Sequence, residues 1–402
     1  MVSGFYRNED HKAKLLNCRM IDLVKRTETL TSAWMAIFRS ILMLTFLWSF
    51  SQALAEERVR GRRSLVLENH QARLVLDIAG GSIPEFRFRD SELNPLNWGR
   101  RNPGDQPGSM GHFLCCDRWG PPSDAEGKNG MPYHGESSKV VWRVLQDTET
   151  TTAGIHARMA ADLPLAGLTV DRSVTLAASS PFFVVSETIT NNNKLGRIFN
   201  IVQHPTIGPP FLDENCVVDS NCRRGFAQGG LMPNPEQPEF LWPSAITKDG
   251  ERISMRRMTN SEEPSVTSFV IDEELGWAIA SNGKRGLLFG YAWKRSDYPW
   301  FNHWWKLKDG KPNARGLEFG STGLHQPFPV LVKKREIFGQ QLFEHLDTGK
   351  NTTKSYASFL AKIPEDFKGV GKVAIQGGSL VITERAEMRP RKINIATGGL
   401  IQ

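Results

Sequence analysis

From Ser64 onward, apolar and polar residues trade places in short runs. Side chains of a strand point alternately to two faces, so this period of two predicts strands. The runs Ser64–Glu68, Arg73–Ile78, Val140–Leu145, Leu168–Leu176, Phe182–Thr190 and Ile198–Gln203 fit it, and several are rich in Val, Ile and Phe. Further on, Val266–Ile271, Trp277–Ala280, Gly286–Tyr291, Leu317–Gly320, Val330–Val332, Tyr356–Ala361 and Val373–Ile375 continue the pattern. Turn formers punctuate them, among them Gly80-Gly81, Asn191-Asn192-Asn193 and Asn282-Gly283. No window carries a capped apolar stripe of helical period. Strands that follow one another without helices between them predict a mainly β chain with few helices, folded as a large antiparallel β-sandwich. Residues 102–132 and 213–254 are rich in Pro, Gly and Asp and read as two long loops.

The leader departs from this texture. Arg39 precedes an apolar run, Ile41–Phe50, and Ala53-Leu54-Ala55 follows as a small-x-small cleavage signal. The run is about half the ~20 residues that a spanning helix requires. Residues 1–55 are therefore expected to be a leader with a signal peptide, with Met20 or Met35 able to serve as the start. Residues 56–402 are then one exported domain, periplasmic or secreted, with no membrane span after cleavage.

Composition narrows the partners. With 402 residues, 40% hydrophobic and 23% charged, the chain can bury a sizeable core, which excludes a disordered polymer. The net charge is +7, but residues 1–55 hold a surplus of three, so the rest carries only +4. That is too mild for a nucleic-acid partner, and no basic stripe interleaved with aromatics occurs. Outside the leader stand Cys115, Cys116, Cys216 and Cys222. Cys216 and Cys222 flank a short polar stretch that suits a disulfide staple in an exported protein. Cys115 and Cys116, if on a strand, face opposite ways.

Four segments could carry chemistry. Tyr133-His134-Gly135-Glu136 puts an imidazole at a loop-to-strand junction. Gln203-His204-Pro205 ends an apolar strand on a titratable group suited to proton donation near neutral pH. In Arg315-Gly316-Leu317-Glu318-Phe319-Gly320, alternation separates Glu318 from its apolar neighbours, so it is either solvent-facing or a buried base. Tyr298–Trp305 concentrates aromatics, and Pro299, Asn302 and His303 suit a loop whose rings stack on sugars. His134, Glu136, His204 and His303 lack HExxH spacing, so no metal is expected.

The order of these pieces resembles the galactose mutarotase (aldose 1-epimerase) superfamily. Gly80-Gly81-Ser82-Ile83 with Asn94-Pro95-Leu96, then His134-Gly135, then Gln203-His204-Pro205, then Gly316-Leu317-Glu318 match its motifs over roughly residues 64–362. The leader places the chain nearer the superfamily's exported bacterial branches. The resemblance implies a β-supersandwich binding a hexose in an open groove without a cofactor. It implies Glu318 as the base at the anomeric hydroxyl, His204 as the acid at the ring oxygen, and His134 and Arg118 as sugar ligands. Trp300, Trp304 and His303 would add stacking and polar contacts to a mono- or oligosaccharide. C1 epimerisation competes with two other readings, sugar binding without turnover and glycan cleavage by a lyase or hydrolase. Hydrolysis requires two carboxylates roughly 5–9.5 Å apart, for which Glu136 or Asp297 would have to join Glu318.

Overall fold

A computed structural model of the chain describes residues 58–99, 103–229 and 239–401. The leader features, including Met20, Met35 and Ala53–Ala55, lie outside the described residues.

Two antiparallel sheets of eight strands dominate. The front sheet runs Phe240–Leu241, Cys222–Ala227, Val266–Ile271, Trp300–Lys308, Lys311–Gly320, Arg197–Ile207 and Glu344–Leu346. His112–Asp117 also pairs with Arg197–Ile207. The back sheet runs Val217–Ser220, Leu275–Asn282, Leu287–Lys294, Asn351–Lys362, Phe182–Asn191, Leu168–Ala177, Gly154–Leu163 and Arg143–Thr150. Their facing sides share one core, in which front-sheet Ile201, Phe301 and Phe319 meet back-sheet Phe183, Tyr291 and Trp293. Phe319 stacks on Trp293 with ring centroids 4.2 Å apart. A sheet of four short strands, Arg58–Val59 to Glu85–Phe88, adds Leu65, Leu74 and Phe86 to that core. A C-terminal sheet of Val370–Gln376, Ser379–Glu384 and Lys392–Ala396 packs on the back sheet's other face. This second cover explains why Leu275–Asn282 is buried almost throughout, whereas Leu168–Ala177 alternates.

A buried ion pair ties the sandwich to the Gly80-Gly81 turn. The Arg172 guanidinium lies 2.7 Å from Glu187 and 4.3 Å over the Trp142 ring, and it donates to the Gly81 carbonyl. Gly81 has φ +63°, and a Cβ there would collide with Trp142 at 2.3 Å. The Gly-Gly turn is thus demanded by packing.

The strands depart from the sequence reading in several places. Residues 102–132 are not one loop: they hold the strand His112–Asp117 and the helix Asp124–Lys128. All six residues of that strand are buried, so it shows no alternation. The described part of 213–254 likewise holds Val217–Ser220, Cys222–Ala227, Phe240–Leu241, Ser244–Ile246 and Arg252–Ser254. Val330–Val332 lies in the helix Phe328–Lys334, where prolines at the first turn favour helix over the β preference of two valines.

The Cys216–Cys222 staple is also corrected. Both thiols are buried and free. The strand Val217–Ser220 between them advances about 10 Å, whereas a bridge requires Cα atoms within about 7 Å. Burial raises both thiols, that of Cys216 to about 12.

Candidate functional site

One row of residues crosses the front sheet on the face turned away from the back sheet. Register pairs Phe113 with His204, Glu318 with Asn302, and Asn302 with Ser268. Gln203 opposite Phe319 and Thr206 opposite Gly316 set His204 on the same rung as Glu318. Alternation sends Leu317 and Phe319 into the core and leaves Glu318 on the outer face. It likewise sends Gln203 inward, to Glu187 and Tyr298, and His204 outward.

Glu318 is only 1% exposed. The Trp119 indole N–H donates to its Oε2 at 2.6 Å, and the Trp304 indole N–H donates to Oε1. His204 Nε2 lies 2.9 Å from Oε1. An ionised carboxylate offers about four acceptor positions, so one remains for a ligand. Trp304 reaches the carboxylate across Gly316, whose added Cβ would meet that indole at 2.1 Å. The Gly-Leu-Glu spacing is therefore a steric requirement. His204 stacks on Phe113 with centroids 4.1 Å apart, and its Nδ1 lies 3.2 Å from the Thr206 hydroxyl.

His134 approaches from the loop before Glu136. It adopts φ +67°, and its backbone N–H donates to the Gly120 carbonyl while its Nδ1 accepts from the Gly120 N–H. An accepting Nδ1 places the proton of a neutral ring on Nε2. Burial, with the nearby imidazoles of His204 and His325 acting in the same direction, pushes His134 far below the ordinary imidazole range. The ring is thus a neutral donor whose Nε2–H serves the cavity. Gly135 beside it has φ +74°, and any Cβ would strike the Cys116 carbonyl at 2.2 Å.

The cavity holds about 340 Å³, and Glu318, His204, His134 and Trp304 all line it. That volume lies at the lower end of the ~300–1,000 Å³ range of small-molecule sites. His325 and Tyr133 close its rim through a 3.0 Å contact between Tyr133 Oη and His325 Nε2. Burial lowers His325 to about 4 and raises Tyr133 to about 12.

Three expected residues do not reach the cavity. Arg118 turns to Asp117 and Glu126, at 3.0 Å and 2.8 Å. Glu126 is itself held by the Ser123 cap of the helix Asp124–Lys128. Trp300 is buried against Phe226, and its indole donates to the Gln341 carbonyl. His303 faces the core, where its Nε2 accepts from Arg315 at 2.9 Å. The reason is that Trp300–Lys308 is a strand, not a loop, so its rings divide between two faces. Glu136 and Asp297 are likewise occupied by backbone N–H groups, of Leu165 and Ala166 and of Ser355. Among the described residues no group of three or more His, Cys, Asp or Glu is arranged to hold a metal, and no helix is long and apolar enough to cross a membrane.

Trp98, Ser109, Phe113, Trp119, Val266 and His325 complete the lining. Sequence reasoning missed them. Trp119 stands beside Arg118 in the segment Cys116–Trp119, but His325 carries no local signal at all.

The fold is thus an antiparallel supersandwich with an aromatic cavity on one face, and a carboxylate and an imidazole share one rung of that face. Solved structures make the fold specific. A galactose mutarotase-like protein from Clostridium acetobutylicum superposes with a TM-score of 0.58 at 12% identity, covering 77% of this chain and 98% of its own. The galactose mutarotase related enzyme of Lactobacillus acidophilus gives 0.55 at 12%, covering 75% and 98%. A galactose mutarotase-like protein from Lactobacillus casei gives 0.54 at 13%, covering 74% and 100%. No protein-family model and no curated protein matches the chain by sequence. The chain has the galactose mutarotase-like fold.

Proposed function

We propose that this protein binds a sugar in the aromatic cavity and interconverts its C1 anomers. The observation that carries the reading is the cross-strand pair of Glu318 and His204 at the cavity floor, 2.9 Å apart. Glu318 takes the proton of the anomeric hydroxyl while His204 delivers one to the ring oxygen. The C1–O5 bond breaks, C1 becomes a carbonyl, and rotation about C1–C2 presents the other face for reclosure, which returns both protons. Both oxygens are bonded to C1, so the acid and base must be neighbours, as adjacent strands make them. His134 Nε2–H adds a neutral donor for a sugar oxygen, and the rings offer faces to the sugar's C–H groups. Export to the periplasm or beyond, read from the leader, would bring the site to extracellular sugars.

Sugar binding without turnover is the second reading. It is favoured by the direct contact of His204 with Glu318, because a sugar must part the two before they act on it. Cleavage through two carboxylates has no support, since Glu318 is the one carboxylate among the described lining residues.

Polarimetry of freshly dissolved α-D-glucose or α-D-galactose tests the choice. The protein should accelerate relaxation, and His204→Asn should lower kcat by ~10²–10⁴-fold while sugar affinity stays within a few-fold. Binding with no rate above buffer would refute the catalytic reading.

A further inference from the structure

We propose that the cavity selects a sugar carrying a free ammonium group, an amino sugar, over its neutral or anionic counterparts; this rests on the sugar-binding reading above. The first support is charge. No described lining residue is Lys or Arg, and Glu318 is the single carboxylate. The described lining thus carries one acidic side chain and no fixed cation, and burial lowers the imidazoles of His134 and His325 below the ordinary range. Beside the strand His112–Asp117, Arg118 and Arg197 both bond Asp117, and Arg118 also bonds Glu126.

The second support is ring geometry. Trp98 and Trp304 meet at 71° with centroids 6.2 Å apart, and Trp119 meets His325 at 79° and 4.6 Å. These inclined pairs, beside the near-parallel Trp98 and Phe113 at 16°, line the same cavity as Glu318, and ring faces attract organic cations because they carry negative potential. Uncharged sugars are recognised chiefly through planar stacking and many polar side chains. Here the polar inventory of the lining beyond the titratable groups is one serine, Ser109.

The third support is the acceptor capacity of Glu318. Once a sugar parts His204 from the carboxylate, two acceptor positions are open beside the two indole bonds, one for the anomeric hydroxyl and one for the vicinal substituent at C2. An ammonium at C2 would bring its own positive charge to that bond, where a neutral hydroxyl brings none.

The test is calorimetric titration at constant ionic strength and mildly acidic pH with D-glucosamine, D-glucose, D-glucuronate and tetramethylammonium chloride. D-glucosamine and D-glucose differ only at C2, so their ratio isolates the charge. D-glucosamine should bind at least about tenfold tighter than D-glucose. Tetramethylammonium should compete with it, and D-glucuronate should bind more weakly than D-glucose. Trp98→Leu removes a ring that makes no hydrogen bond to Glu318 and should bring the ratio toward one. Equal affinity for D-glucosamine and D-glucose, or D-glucuronate binding as well as either, would overturn the cation preference and leave the sugar reading intact. Tetramethylammonium binding with no sugar bound would overturn both, as would no binding of any probe.

Discussion

Glu318→Gln is nominally isosteric, yet the geometry makes it costly to the fold. Two indole N–H groups converge on opposite oxygens of one carboxylate. A glutamine has one carbonyl oxygen, so its NH2 must face either Trp119 or Trp304, donor against donor. One charge-assisted hydrogen bond, worth ~1.5–3 kcal/mol, is lost, and a buried N–H is left unsatisfied at ~1–3 kcal/mol. These costs overlap, giving about 2–4 kcal/mol in total. With unfolding entropy of ~2.1 cal/mol/K per residue over roughly 330 described residues, Tm should fall by about 3–6 °C. Trp119→Phe removes the orphaned donor along with its partner. The double variant Trp119→Phe/Glu318→Gln should therefore be about 1–2 kcal/mol more stable than the sum of the singles requires. Urea unfolding of all four proteins measures this cycle. Trp98→Phe serves as the control, since Trp98 touches the cavity without bonding Glu318, and it should add independently. Additivity of Trp119→Phe and Glu318→Gln within ~0.5 kcal/mol would refute the indole–carboxylate clamp.

Three further outcomes are expected. Burial holds His112 near 3 and His325 near 4, whereas unfolded histidine titrates near ~6.5; the unfolded chain therefore binds protons first, and stability falls as pH drops from about 6.5 toward 4. His325→Gln should flatten that slope, and an unchanged slope in urea unfolding would contradict the assignment. Native protein should resist iodoacetamide at Cys216 and Cys222, and unfolded, unreduced protein should be alkylated at both; a mass corresponding to a bridged peptide would be the contrary result. Exported protein should begin at Glu56, and N-terminal sequencing that finds another start would remove the basis for the cleavage site.

The legibility of this chain follows burial. Leu168–Ala177 has one face in the core and one less covered, so its alternation announces it. His112–Asp117 is covered on both sides and flanked by Gly and Pro, so nothing in its order marks a strand. Trp300–Lys308 misled in the opposite sense: Asn302 and His303 look like loop residues, yet both are bonded inside the sheet, Asn302 to Ser268 and Thr322 and His303 through Nε2 to Arg315. Glu318, His204 and His134 were legible because short motifs mark them. Arg118 was mistaken for a cavity residue because the helix Asp124–Lys128, with its Glu126, was not foreseen. Trp119 and His325 come from distant loops, and only the closed fold brings them to the carboxylate.

That distance has a kinetic consequence. Trp119 and Glu318 are 199 positions apart, so the clamp cannot close until most of the front sheet has paired. Contacts of such sequence separation carry a large loop-closure cost and belong to the slow, late part of folding. A ligand seated against Glu318 thus meets no binding surface in the folding transition state. It should leave the folding arm of a chevron unmoved and lower only the unfolding arm, so that a bound sugar prolongs the life of the folded chain without hastening its birth.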